Sequence, residues 1–247
     1  MKRIVIIGAS SGLGYRIAEE FAMKGWKVGI AARRETPLKT LQERFPDNIT
    51  YLTIDITSND AVSRFMSLIK MTGGMDILIH ASGIGRQNPE LDIDNEINTV
   101  NTNITGFIRI VDTAYQYFKG SSSQRQEGHI AVISSVAGTM GIGIAASYCA
   151  TKRFQYTYLT ALEQLANIER TNISFTDIRP GFIDTPLLAG EKNYPMMMSI
   201  DYAVPRIIRA ILQKKRIAII DWRWRILVSL WRLIPRCLWK HLPIKTG

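Results

Sequence analysis

Short, almost unbroken apolar runs alternate along this chain with longer stretches in which apolar residues recur every three or four positions. A run of four to six β-branched residues without polar alternation suits a strand buried on both faces. The intervening periodicity suits helices that lie with one side on such a sheet. Strands are expected at Arg3–Ile7, Lys27–Ala31, Ile49–Ile54, Asp76–His80, His129–Ser134, Ile173–Ile178 and Arg216–Ile220. Helices are expected at Leu13–Lys24, at Pro37–Phe45 opened by its proline, and from an N-cap at Ser58 to Met71. Further helices read at Asp92–Phe118, Ala146–Arg170 and Asp201–Gln213, the last with Ser199 near its start, and a polar loop spans 120–128. The pattern predicts an α/β protein, a single doubly wound parallel sheet with helices on both faces. No repeat, linker or low-complexity block divides residues 1–247, so one domain is expected.

Composition changes this picture at one end only. The chain carries a net charge of +10, yet its first 203 residues balance, because eleven Lys/Arg and a single acid, Asp221, fall in residues 204–247. Residues 222–247 therefore read as a basic, amphipathic extension of the domain. Cys149 and Cys237 are the two cysteines, which excludes a disulfide scaffold. Both read as packing residues in a cytoplasmic protein, since neither has the His or Cys neighbours of a metal or redox site. The apolar run Ile4–Ile7 is too short for a secretion signal, and no metal-ligand cluster is evident around His80, His129 and His241.

The first strand runs directly into Gly8-Ala-Ser-Ser-Gly-Leu-Gly14 and then a helix. Here a glycine pattern has physical content. Gly8 permits a tight turn, Gly12 lets backbone approach a pyrophosphate, and Gly14 lets helix and strand pack closely, with Ser10, Ser11 and Leu13 lining the turn. This makes the fold Rossmann-type. The second strand ends in Arg33-Arg34 where an acid would accept ribose hydroxyls. Two guanidiniums suit a 2′-phosphate, so NADP(H) is expected in preference to NAD(H).

Farther on, Ser135 stands at the end of a strand, and Tyr148 and Lys152 lie one turn apart on the following helix. Taken with the glycine turn, this set resembles the short-chain dehydrogenase/reductase family over residues 3–186. Asp55-Ile56 is similar to the family's adenine-contacting pair, and Asn103-Ile-Thr-Gly106 to its N-x-x-G element. Pro180-Gly181-Phe-Ile183-Asp-Thr185 is similar to its nicotinamide-holding segment, and Ala81, Ser82 and Gly83 fall where the family commonly has N-N-A-G. Two departures stand out. Ile7 replaces the Thr common before the first glycine, and Ala81 lacks the amide with which Asn braces the central sheet.

The resemblance implies a carbonyl–alcohol oxidoreductase with Tyr148 as general acid or base. A free phenol near pKa 10 exchanges protons poorly at neutrality, so Lys152, together with an oxidised nicotinamide, is expected to lower Tyr148, and Lys152 also to bond the nicotinamide ribose. Ser135, rather than Ser134 on the strand's other side, would hold the substrate oxygen, and Asn103 would position a relay water. The expected assembly is a homo-oligomer, a dimer or tetramer. An alternative on the same fold is a non-catalytic dinucleotide sensor or membrane-associated interaction protein.

Residues 187–200, with Leu187, Leu188, Tyr194 and Met196–Met198, read as the substrate loop. They suggest a mobile apolar lid for a moderately hydrophobic ketone, aldehyde or alcohol, or alternatively plain core filling. On a helical projection of the tail, Arg225, Ser229, Arg232 and Arg236 share one face, with Ile226, Leu230, Leu233 and Ile234 opposite. Its apolar run is far too short to span a bilayer. Two readings stand: the tail covers the domain's core or a subunit partner, or residues 222–240 make peripheral contact with an anionic membrane. No nucleic-acid motif accompanies the charge, and no nucleic-acid partner is expected.

Overall fold

A computed structural model describes the chain except for residues 1, 122–126, 189–193, 243 and 245–247. Seven parallel strands form one sheet in the order β3-β2-β1-β4-β5-β6-β7. They are β1 (Arg3–Ile7), β2 (Lys27–Ala32), β3 (Ile49–Thr53), β4 (Ile77–His80), β5 (Gly128–Ile133), β6 (Ile173–Pro180) and β7 (Ile217–Ile220). The unbroken apolar character of β1 has its explanation in two cores. Ile4 and Ile6 enter one, and Val5 and Ile7 the other.

On the first face lie α1 (Gly12–Met23), α2 (Glu35–Arg44) and α7 (Ile200–Leu212), contributing Ile17, Phe21, Leu38, Val204 and Ile207. On the second lie α3 (Ala61–Met71), α5 (Phe107–Ser121) and α6 (Ala146–Ile168), contributing Phe65, Leu68, Val111, Phe118 and Leu159. The order of strands reverses between β1 and β4, and the crevice outside their carboxyl ends is where such sheets bind ligands.

Several boundaries differ from the sequence reading for identifiable reasons. Helix α2 starts at Glu35, two residues before Pro37, because the missing proline amide falls in the first turn where no intrahelical partner is needed. Asp60, rather than Ser58, precedes α3; the Ser58 hydroxyl turns back to the Asp55 carbonyl at 2.9 Å. The expected helix over 92–118 is divided into α4 (Ile93–Val100), a π-helical turn at Asn101–Gly106, and α5. Strand β6 runs on through Arg179 and Pro180, which pair with Ile219 and Ile220 of β7. Of the polar loop expected at 120–128, residues 122–126 lie outside the described residues.

The tail forms α8 (Trp222–Trp231), capped by the Asp221 carboxylate accepting from the Arg223 amide at 3.1 Å, and a short α9 (Arg236–Trp239) begun at Pro235. It packs on the domain, and by a face other than the Ile226, Leu230 and Leu233 side of the helical projection. Trp224 and Val228 are buried with Leu227 and Trp231 against them, whereas Ile226, Leu230 and Leu233 are exposed. Cys149 is buried as expected; Cys237 is not, because α9 presents it to solvent.

Candidate active site

At the carboxyl end of β1, Gly8 adopts φ +95°, and its amide donates to the Ala31 carbonyl at 2.8 Å. A Cβ on Gly8 would lie 2.7 Å from the Ala81 carbonyl carbon, and one on Gly14 would collide with the Gly8 carbonyl oxygen. The turn is therefore closed tightly against Ala81 and Ser82, just after β4. It opens into the first turn of α1, where helices leave amides without intrahelical partners. Thr185 stands across from Gly12. Arg34 donates to the Ser10 hydroxyl at 3.2 Å, so the second strand's cations and the glycine turn meet at one exposed corner. Asp55 lies close by. Burial pushes its carboxyl up, but donors from Thr57 at 2.9 and 2.7 Å and the nearby Arg33 charge hold it below the usual range.

These features fit a phosphate-rich dinucleotide: a cradle that a Cβ would fill, open helical amides and two guanidiniums without an acid between them. Ile56 takes a supporting place instead, buried beneath the π-helical turn against Gly106. Leu13 is partly buried against the core.

The chemical end is assembled from β5, the π-helical turn and α6. Ser135 follows β5 and accepts from the Ala137 amide at 3.1 Å, capping a single 3-10 turn that leads toward α6. The Ser135 side chain also bears on Tyr148. Ser134 faces away, its hydroxyl held by Asp177 and by the Ile178 carbonyl at 3.1 Å. Spacing thus separates the two serines as expected.

Lys152 is buried, 5.8 Å from the centroid of the Tyr148 ring, and donates to the Ile133 carbonyl at 3.3 Å. Loss of water lowers its pKa to about 8, partly opposed by the Asp177 charge. Burial pushes Tyr148 up to about 12, and Ser135 only partly counters this. Burial sets the direction of this shift, whereas the lowering expected of Lys152 together with an oxidised nicotinamide concerns the cofactor-bound protein.

Asn103 sits in the π-helical turn and is fully buried. Its amide grips the backbone of Ile84 twice, accepting from the nitrogen at 2.9 Å and donating to the carbonyl at 2.7 Å. That clamp braces the segment after β4, where Ala81 has no side chain able to do so. It also presses the loop inward, since a Cβ on Gly85 would run into the Tyr148 ring.

Sequence reasoning missed Gln155. Fully buried, it accepts from the Lys152 ammonium at 3.2 Å and donates to the Asn103 main-chain carbonyl at 3.0 Å. A carboxamide thus bridges the Lys152 ammonium and the Asn103 main chain. A polar amide three residues after Lys152, in phase with buried helix positions, was the available signal. Asp177 and Arg179 were missed too. Their ion pair, at 2.6 Å, lies buried with the guanidinium 3.5 Å from the Tyr156 ring centroid, and the Tyr156 hydroxyl donates to the Ser135 carbonyl.

His80 is buried with neither ring nitrogen bonded, and burial together with the Lys152 charge lowers its pKa to about 3. It is a neutral packing residue against Phe107.

From the end of β6, in the segment expected to hold the nicotinamide, Pro180 and Ile183 are buried, and Gly181 lies directly against the Trp224 indole. Residues 189–193 of the expected lid lie outside the described residues. The Met run corrects toward core filling: Met198 is buried, bridges to Ile183 and accepts from the Asp184 amide at 2.9 Å, and Met196 packs on the core. Tyr194 stacks on Phe182 at 4.3 Å and faces Tyr148 closely enough to affect its ionisation. Among the described residues no cluster of His, Cys, Asp or Glu gathers as a metal site.

The profile of the short chain dehydrogenase family matches residues 2–194. An uncharacterised oxidoreductase of Mycobacterium tuberculosis (strain H37Rv) is 32% identical over 248 residues, spanning 95% of each chain. Among solved structures, the 3-ketoacyl-(acyl-carrier-protein) reductase of Brucella melitensis, complexed with NADH, shares the fold with a TM-score of 0.80 at 24% identity, over 89% of this chain and 96% of that one. A single-site variant of the actinorhodin polyketide ketoreductase with NADPH gives 0.75 at 22% identity, over 89% and 95%.

Proposed function

This chain belongs to the short chain dehydrogenase family of oxidoreductases, and from that membership we propose that it uses NADP(H) to interconvert a carbonyl and an alcohol on a moderately hydrophobic small molecule. The observation that carries the reading is the convergence of Ser135, Tyr148, Lys152 and Asn103 at the carboxyl ends of β4 and β5, beside a glycine turn flanked by Arg33 and Arg34. A dinucleotide sensor needs the turn but has no use for a buried lysine next to a tyrosine.

In reduction, Ser135 holds the substrate oxygen and Tyr148 donates the proton to it. The value near 12 makes the phenol a firmly protonated donor before ligands arrive. Positive charge near the site favours the phenolate afterwards, and Lys152 supplies that charge from one turn away. Gln155 and the Ile133 carbonyl hold the ammonium in place. Asn103 fixes the loop that packs on the Tyr148 ring. When bound, the nicotinamide supplies or takes the hydride. Arg33 and Arg34 receive a 2′-phosphate at the Ser10 corner. Phe182, Tyr194 and Leu188 give the substrate an apolar wall.

NADPH and NADH oxidation measured against a panel of aliphatic and aromatic ketones tests this. Turnover with NADPH that exceeds turnover with NADH is expected. Tighter binding and faster turnover with NADH would overturn the cofactor assignment, and no turnover of any carbonyl or alcohol in the panel would count against the substrate class.

A further inference from the structure

The tail packs on the domain by Trp224, Val228 and Trp231, which leaves a second apolar face turned outward. Ile226 is 53%, Leu230 55% and Leu233 77% exposed, continued by Trp222 before them and Leu238 after. At 100° per residue, Trp222, Ile226 and Leu230 form one stripe along α8, with Arg223 on one flank and Arg225 and Arg232 on the other. Six Lys/Arg and no acid lie in residues 222–247. The carboxylate just before them, Asp221, is buried and already engaged by Arg223 at 3.1 Å and the Tyr202 hydroxyl at 3.0 Å. Arg225, Arg232, Arg236 and Lys240 are exposed and have no acidic partner among the described residues.

We propose that this outer face of α8 and α9 docks on an anionic phospholipid surface, with Trp222, Ile226, Leu230, Leu233 and Leu238 entering the interface and the flanking cations meeting headgroup phosphates. The charge pattern selects this occupant over a second copy of the chain. A two-fold contact through the same face would bring each arginine row near its own counterpart, without an acid in the tail to separate them. Apolar residues flanked by Arg, with an exposed Trp at one end, are what an in-plane interfacial helix requires. Among the described residues no helix is long and apolar enough to cross a membrane, so the contact is peripheral.

The helices that carry this face pack, by their opposite side, against segments of the proposed active site. Trp224, Trp231 and Trp239 form a line of edge-to-face rings at 6.4 and 5.7 Å, and Trp224 meets Phe182 at 5.3 Å. At the far end the Trp239 indole donates to the Gly141 carbonyl at 2.7 Å, in the segment between Ser135 and Tyr148.

The test uses the full chain and needs no turnover, so it stands or falls apart from the oxidoreductase reading. Flotation with mixed phosphatidylglycerol/phosphatidylcholine vesicles is compared with phosphatidylcholine alone. Binding on the order of tenfold stronger to the anionic vesicles is expected, diminished by high salt. The triple change Ile226→Ser, Leu230→Ser, Leu233→Ser should abolish flotation while leaving the thermal midpoint and NADPH binding in place. An environment-sensitive dye on exposed Cys237 of the unsubstituted tail should shift to the blue with anionic vesicles; buried Cys149 is shielded from labelling. The proposal is overturned if neither flotation nor dye responds, or if binding is indifferent to lipid charge or survives the triple change. It is overturned equally if the triple change converts a dimer to a monomer and neither form binds vesicles.

Discussion

At the cofactor corner, Arg33 and Arg34 stand in solvent, and their environment is a backbone turn. Along the same sheet edge, Lys152 is buried and hydrogen-bonded through Gln155 to the main chain of Asn103. Both places hold cations to which the proposed function gives a ligand, but they hold them at opposite cost. An exposed guanidinium keeps its hydration. A buried ammonium has already lost its water, which is why its pKa falls to about 8 while the phenol beside it rises to about 12. In the proposed function, recognition would draw on solvated groups, and chemistry on groups that burial has desolvated.

The sharpest way to break this contrast is Tyr148→Phe. The ring still packs on Gly85 and under Lys152, so the fold and NADPH binding should persist. Carbonyl reduction should fall roughly 10²–10⁴-fold, the range for loss of a positioned proton donor. Near-normal turnover in stopped-flow NADPH oxidation would remove Tyr148 from the proposed chemistry.

Lys152→Met separates stability from function at the same place. A folded value near 8 against 10.5 means that the unfolded chain binds a proton more readily. At neutral pH the charged lysine therefore opposes folding, and the penalty fades as pH rises from about 8 toward 10.5. Replacing it by an apolar side chain of similar length should raise unfolding free energy by about 2–3 kcal/mol while abolishing reduction. Urea unfolding at pH 7 checks it, and a destabilised variant would show that the amide bridge outweighs the desolvation.

The exposed corner should behave otherwise. Arg33→Ala with Arg34→Ala should leave the urea midpoint unchanged, because neither side chain contributes to a core. It should weaken NADPH about 10–100-fold, the worth of one or two charge-assisted bonds, with little effect on NADH. Equal losses for both cofactors, by fluorescence titration, would place the 2′-phosphate elsewhere.

The same contrast explains what could be read in the chain before folding. The cofactor corner is local: a strand, a glycine turn, a helix and two arginines, each interpretable from its neighbours. Strand and helix order was equally legible, because a sheet with two cores imposes unbroken apolar runs. The chemical centre was legible as residue types but less so as a network. Gln155 bonds to Asn103 across 52 positions, and no periodicity announces such a partner. Asp177 and Arg179 were hidden because a strand pattern shows which positions are buried, but not which buried charges find one another. The tail failed in a different way. A helical projection finds an apolar face, but α8 has two. The tryptophans decided which one packs, because Trp224 fills the space over Gly181 that only a glycine leaves open.

Gln155→Leu gives the smallest of these effects and asks whether the buried bridge tunes Lys152 or merely fills space. The carboxamide oxygen accepts from the ammonium at 3.2 Å, an interaction that favours the charged form. Leucine keeps most of the volume but removes the acceptor, so the charged lysine loses part of what offsets its burial. Its pKa should fall by about one unit, the equivalent of one such hydrogen bond. In the pH profile of kcat the alkaline limb, where Lys152 deprotonates, should move toward neutrality by that amount. Gln155→Glu should move the limb the other way, since a carboxylate favours the ammonium more strongly. A filler at this position would lower the thermal midpoint without moving either limb, and that outcome would reduce Gln155 to packing.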